Sequence, residues 1–239
     1  MKGEVFTEER EGSFWVSFSR PPVNVLDLPM IQEIHTRLSP LASRPDMKVV
    51  VIRSGLPGVF SAGVEVRDHA RDRVQEMLAT FHGLIRTLVS LPQASVASVD
   101  GHCLGGGCEL AAVCDFVLAS PAAIFGQPEI DLGCFPPVAA ALLPRILGRA
   151  ASEMVLLGGR LSADEAAQKG LVSRVVSDLQ GETVSLASRL AQKSGAALAL
   201  ARKALRAGET GTFREALDRA ETIYTTELLK TDDVQEGVL

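Results

Sequence analysis

Two compact apolar runs, Val49 to Ile52 and Ser95 to Val99, each give way to a glycine-rich loop and then to a helical stretch. That recurrence narrows the fold more than any other feature of the chain. Short β-branched runs bounded by turn residues read as strands buried on both faces, as parallel sheets require. Parallel strands need crossovers, most often helices, to connect them. Pro29 to Leu41 supplies one, with Met30, Ile31, Ile34, Leu38 and Leu41 at helical spacing. Val74 to Leu91 supplies another, with Met77, Leu78, Phe81, Leu84, Ile85 and Leu88 in register. The first two thirds of the chain are therefore expected to be an α/β core.

Before that core, Glu4 to Ser19 alternates around Glu11-Gly12-Ser13 and reads as a hairpin, with Phe14, Val16 and Phe18 on one face. Gly55 to Gly63 reads as a loop. Beyond it, Phe116 to Ala119 and Ala123 to Phe125 read as short strands, and Val172 to Val176 as a later one. The remainder is helical text: Val138 to Leu147, Ala150 to Leu157, Ser162 to Lys169, Thr183 to Lys193, Ala196 to Ala207 and Thr212 to Leu229. Ser162 and Glu165 form a Ser-x-x-Glu capping box at one helix start. The length, 239 residues, suits one large domain or a domain with an appendage. The expected division is a core over residues 1–180 and a helical region over residues 181–239.

Composition excludes several classes. Hydrophobic residues at 46% and charged residues at 22% describe a folded globular chain, and a formal charge of −5 offers no general attraction to nucleic acid or anionic membrane. No apolar run approaches the roughly 18 to 20 residues that span a bilayer. Met1 to Arg10 lacks the basic start and apolar stretch of a secretory signal, so a cytoplasmic location is expected. The spacings of Cys103, Cys108, Cys114 and Cys134 match no paired zinc pattern, and the four read as buried thiols. No metal site is expected.

Two segments carry chemistry. Gly105-Gly106-Gly107-Cys108-Glu109 places three glycines before a helix start, where free backbone N–H groups can approach a ligand with no Cβ in the way. Gly106 and Glu109 are three apart and share the face of that first turn. Phe125-Gly126-Gln127-Pro128-Glu129 offers a second carboxylate after a proline. Singly, the glycines suit a packing turn, Glu109 a first-turn acid facing the helix dipole, and Glu129 a loop carboxylate. The triplet lacks both the dinucleotide order and the phosphate-loop lysine. A site with paired acids and amide donors is nevertheless what water addition to a polarised alkene needs: a base for water, an acid for carbon, and donors for the carbonyl oxygen.

With Phe60-Ser-Ala-Gly-Val-Glu-Val66, these segments resemble the crotonase superfamily, particularly enoyl-CoA hydratases. The resemblance implies a spiral of ββα units with C-terminal helices that build a homotrimer or homohexamer. It also implies an acyl-CoA thioester as ligand, with no cofactor, because coenzyme A is part of the substrate. Carried over by position, the oxyanion hole falls on the backbone N–H groups of Val64 and Gly106, and the catalytic pair on Glu109 and Glu129. Glu129 is then the acid toward C2 and Glu109 the water-activating partner. Ala62, Gly63, Gly105, Phe135, Pro136 and His82 fall beside the acyl group; for His82, packing beside Phe81 stays open as an alternative. His69 and His102 have no nucleophile or motif near them and are read as non-catalytic. A double-bond isomerase is the alternative within the superfamily, and a non-catalytic CoA- or RNA-binding member is a more distant one.

Three departures bear on the substrate. After Leu132-Gly133 the family commonly has flexible glycines, whereas this chain reads Cys134-Phe-Pro-Pro-Val-Ala-Ala140, so a reshaped acyl pocket is expected. With Asp68-His69, that segment resembles the subgroup that hydrates cyclic dienoyl-CoA thioesters; a general straight-chain hydratase is the alternative. Val23 stands where relatives place a basic residue toward the CoA phosphates, and Arg20, Arg67 or Arg71 could compensate. Finally, the family's Phe- and Lys/Arg-rich tail beyond the position of Gly237 has no counterpart in this sequence.

Overall fold

The chain winds back and forth between two sheets in the computed structural model, which describes residues 3–238. Strands β1 (Glu4–Arg10) and β2 (Ser13–Ser19) form the antiparallel hairpin that opens the large sheet. Strands β3 (Val49–Ser54), β5 (Ala94–Val99), β7 (Phe116–Ala119) and β10 (Arg174–Val175) extend it, each parallel to its neighbour, in the order β1-β2-β3-β5-β7-β10. A small sheet holds β4 (Val59–Ser61), β6 (His102–Leu104), β8 (Ile124–Gly126) and β9 (Arg160–Ser162), with β4, β6 and β8 parallel and β9 antiparallel to β8.

The repeat is a strand in the large sheet, a strand in the small one, then a helix. It runs β3-β4-α2 (Val74–Ser90), β5-β6-α3 (Gly106–Ala112) and β7-β8-α4 (Pro137–Leu147). This is the expected ββα spiral. Strands β4, β6 and β9 have three residues each, too few for their alternation to stand out from loop text, and β4 lies inside the expected Gly55–Gly63 loop.

Strand periodicity divides the core. Phe14, Val16, Phe18, Val50 and Ile52 face the main core with Met30, Ile31 and Ile34 of α1 (Leu28–Leu38) and Phe81 and Leu84 of α2. Trp15, Val49, Val51 and Val96 face the other way, against Leu186 and Ala187 of α7 (Leu179–Ala191). Both faces of β3 are thus covered, which is why its sequence is an unbroken apolar run. Each such side chain contributes about 1.5 to 3 kcal/mol by leaving water.

Caps explain where helices differ from their sequence-based bounds. Asp27 accepts from the Met30 amide and starts α1 early; after Leu38 the chain tightens into a 3₁₀ turn, Ser39–Ser43, that still buries Leu41. Asp178 caps α7 a turn ahead of Thr183. The Ser162–Glu165 capping box is present and opens α6 (Ala163–Gln168). A second box, Thr212 with Glu215, opens α9 (Phe213–Thr226), and the single helix expected to Leu229 is instead α9, a 3₁₀ turn at Leu228–Lys230 and α10 (Asp232–Val238). The strand expected over Val172 to Val176 shortens to β10.

The helical tail docks on the core of its own chain. Arg202 of α8 (Gly195–Gly208) is 6% exposed, pairs with Asp115 at 2.6 Å, and donates to the carbonyls of Leu88, Val89 and Leu91 at the C-terminus of α2. Those carbonyls have no partner within their helix, and the guanidinium also complements the negative end of the dipole. Cys103, Cys108 and Cys114 are buried free thiols; Cys134 departs from the expectation, being only half-buried. Among the described residues no helix is long and apolar enough to cross a membrane.

Candidate active site

The three parallel strands of the small sheet end side by side, about 4.8 Å apart, and the segments that follow them meet at that edge. After β4 comes Ala62-Gly63-Val64, after β6 Gly105-Gly106, and after β8 the 3₁₀ turn Pro128–Leu132 that carries Glu129. One unit of the spiral supplies each.

The first segment is stitched to Val23–Leu26. Ala62 donates to the Val23 carbonyl at 2.9 Å, Leu26 to that of Gly63 at 2.9 Å, and Glu65 to that of Leu26 at 3.0 Å. Buried Asn24 fixes this strip by donating to the carbonyls of Phe18 and Phe60, while the Ser61 hydroxyl donates to the Asn24 carbonyl and accepts from the Gly63 amide. The second segment turns at Gly105, whose φ of 51° suits glycine. A Cβ on Gly106 would stand 2.6 Å from Val64 Cγ2 and 3.5 Å from the Val64 nitrogen, and one on Gly63 3.6 Å from the Gly106 nitrogen. The amides of Val64 and Gly106 therefore lie next to each other, and neither donates to a partner among the described residues.

Glu109, in the first turn of α3, is 4% exposed and accepts from the Ala139 amide, at the N-terminus of α4, at 2.7 Å. Burial raises its carboxyl to about 7; the nearby Glu129 charge adds to the rise, and the Ala139 and Val138 amides oppose it. Glu129 Oε1 lies over Gly105, where a Cβ would come within 2.5 Å of it, and its Oε2 is buried with no partner among the described residues. Burial raises this carboxyl as well, against the pull of its own amide. Two acids of increased proton affinity thus share one site.

The cavity between them measures about 380 Å³. All ten residues singled out in the sequence line it: Glu109, Glu129, Val64, Gly106, Ala62, Gly63, Gly105, Phe135, Pro136 and His82. Phe135 stands at the mouth, 62% exposed, while Pro136 is buried and Pro137 begins α4. Met77, Leu78, Phe81, Val66, Leu132, His69, Cys134 and Pro137 are also among its lining. The helical face of α2 could have flagged Met77 and Phe81; Cys134 belongs to the segment expected to reshape the acyl pocket, and His69 to the pair that carries the subgroup resemblance, though neither was singled out as lining. The Cys134 thiol donates to the Glu129 carbonyl at 3.4 Å, and burial with the Glu129 charge raises it. The sequence reading also passed over Gln127, fully buried with neither amide atom paired among the described residues. Arg20, one candidate for a CoA phosphate, is instead engaged by Asp27 and Glu65 at 3.2 and 3.4 Å. Among the described residues no three His, Cys, Asp or Glu side chains gather as a metal would need.

Comparison with known proteins agrees with this architecture. The Enoyl-CoA hydratase/isomerase family model matches residues 8–239. Cyclohexa-1,5-dienecarbonyl-CoA hydratase of Thauera aromatica is 34% identical over 233 residues, covering 96% of this chain and 90% of that protein. The 2,3-dehydroadipyl-CoA hydratase of Escherichia coli strain K12 is 34% identical over 241 residues, covering 98% and 94%. The crystal structure of an enoyl-CoA hydratase from Bacillus anthracis superposes with a TM-score of 0.92 at 27% identity, covering 98% of this chain and 94% of that one. A ββα spiral with glycine-lined amides, buried Glu109 and half-buried Glu129 at one edge, matched over nearly the whole chain, makes this protein a member of the enoyl-CoA hydratase/isomerase family.

Proposed function

We propose that the cavity adds water across the double bond of an α,β-unsaturated acyl-CoA thioester. Glu109 and Glu129 carry this reading: both line one cavity and both have raised proton affinity, whereas moving a double bond needs one shuttling carboxylate. The thioester oxygen accepts from the Val64 and Gly106 amides, which hold the charge that develops as the alkene is attacked. Losing one such donor typically costs about 2.7 to 4 kcal/mol of transition-state stabilisation. Glu109, half-ionised near neutral pH, orients water and takes its proton as oxygen bonds to C3. Glu129 delivers a proton to C2. Each role contributes about 10² to 10⁴ in rate. The two acids titrate as a pair, so the free-enzyme profile reports both.

The finer reading is a cyclic dienoyl-CoA substrate. The Phe135-Pro136-Pro137 wall supports it, because fixed proline backbones give a cavity of set shape where glycines would let it vary. The name of the Thauera aromatica relative supports it as well. Turnover of crotonyl-CoA, a longer enoyl-CoA and a cyclic dienoyl-CoA tests both levels. The expected result is hydration of all three with the highest kcat/KM for the cyclic thioester. A straight-chain preference would return the protein to the general hydratases, and alkene migration without hydration would make it an isomerase. Catalysis needs no cofactor beyond the substrate's own coenzyme A. The working protein is a cytoplasmic homotrimer or homohexamer assembled through the helical tail.

A further inference from the structure

We infer that a groove between α2 and α4, opening behind the active cavity, receives the distal part of an acyl group that ends in a carboxylate. This rests on the hydratase reading and extends it to a substrate class. The groove, about 330 Å³, shares His82 and Pro137 with the active cavity, so these two residues form the wall between the compartments. From that wall both helices run outward in the same order. On α2, Arg86 follows His82 by four residues, and on α4, Ala141 and Arg145 follow Pro137 by four and eight. Four residues advance a helix by about 6 Å, so each set keeps one face and reaches the far end a turn or two beyond the wall.

The surface between wall and end is apolar: Ile85 and Val89 from α2, Val138 and Leu142 from α4. Cations flank it: Arg86 one turn past the wall, and Arg145 and Arg206 around the single acid Glu209 at the far end. Glu209 is already occupied, its carboxylate by Arg206 at 3.0 Å and its carbonyl by Arg145 at 3.2 Å, and Arg206 is further held by Asp115 and the Val113 carbonyl. Arg86 makes no ion pair among the described residues. Burial lowers the His82 imidazole, and the Arg86 charge adds to the lowering. An apolar floor with an unneutralised guanidinium beside it and two more at its far end suits a chain with an apolar middle and an anionic end. Arginine matches a carboxylate at two points at once.

Binding calorimetry with a saturated pair reads this without any turnover: adipyl-CoA and hexanoyl-CoA have equal length and differ in the terminal carboxylate. The wild-type protein should bind adipyl-CoA at least tenfold tighter, and Arg86→Gln should reduce that ratio below threefold, with Arg86→Gln/Arg145→Gln erasing it. No preference in the wild type would overturn the inference. So would a ratio unchanged by the substitutions, or a change in assembly size by light scattering with the ratio preserved, which would make the groove a contact between copies. Wild-type turnover of crotonyl-CoA, too short to reach the groove, tests the hydratase reading separately.

Discussion

Glu109 is held where a charged carboxylate is costly, and that cost makes pH a direct probe of the site. Its carboxyl titrates near 4.5 in the unfolded chain and near 7 in the fold. The fold therefore binds the proton more tightly, and the resulting stability is complete below about 4.5 and lost as pH rises through about 7. The whole effect is about 3 kcal/mol. Glu109→Gln keeps an acceptor for the Ala139 amide but carries no charge, so its melting temperature should exceed that of the wild type at pH 8 and match it at pH 5. Equal differences at both pH values would refute the assignment. In the intact enzyme, kcat/KM should climb through about pH 7 as Glu109 ionises. Gly105→Ala should abolish turnover while the protein still folds, since its Cβ would meet Glu129 Oε1 at 2.5 Å. Circular dichroism beside a kinetic assay separates the two outcomes. At this scale the sequence was most informative, because a glycine triplet and two glutamates in fixed motifs are visible one residue at a time. Cys134 and His69 were visible only as parts of segments that differ from the general family, because lining a cavity depends on where a turn aims a side chain.

At the scale of elements, long apolar runs, the Ser162–Glu165 box and the short strand β8 were legible, whereas β4, β6, β9 and the caps at Asp27, Asp178 and Thr212 were not. Strands β4 and β6 pair with each other across the spiral, a non-local effect that leaves little local pattern. Yet their adjacent ends gather the site. The docking of α8 was equally hidden: Arg202 sits in an amphipathic helix like any surface arginine until the carbonyls at the end of α2 surround it. Arg202→Ala leaves those carbonyls without their partner and leaves Asp115 with Arg206 as its remaining arginine. It should cost about 3 to 5 kcal/mol in denaturant unfolding, whereas an exposed pair such as Lys203 with Glu227 should cost under about 1 kcal/mol. Similar losses for both would show that the tail is not anchored through Arg202.

For the whole molecule, the alternation of strand and helix foretold the α/β core, and the closure of that core by α7 explains why the large sheet is apolar on both faces. The tail leaves Leu205, Phe213, Leu217 and Tyr224 exposed on α8 and α9. Association through these helices is accordingly proposed, and sedimentation should give three or six times the chain mass; a monomer at micromolar concentration would contradict it. The central claim is that both glutamates act on one alkene held by the Val64 and Gly106 amides. Its most direct test is turnover of an unsaturated acyl-CoA in ¹⁸O-water with mass spectrometry of the product. Wild-type protein should place one labelled oxygen at C3, and Glu109→Gln and Glu129→Gln should each slow labelling at least a hundredfold while still binding the thioester. A shifted alkene without label, or undiminished labelling by either variant, would contradict the account.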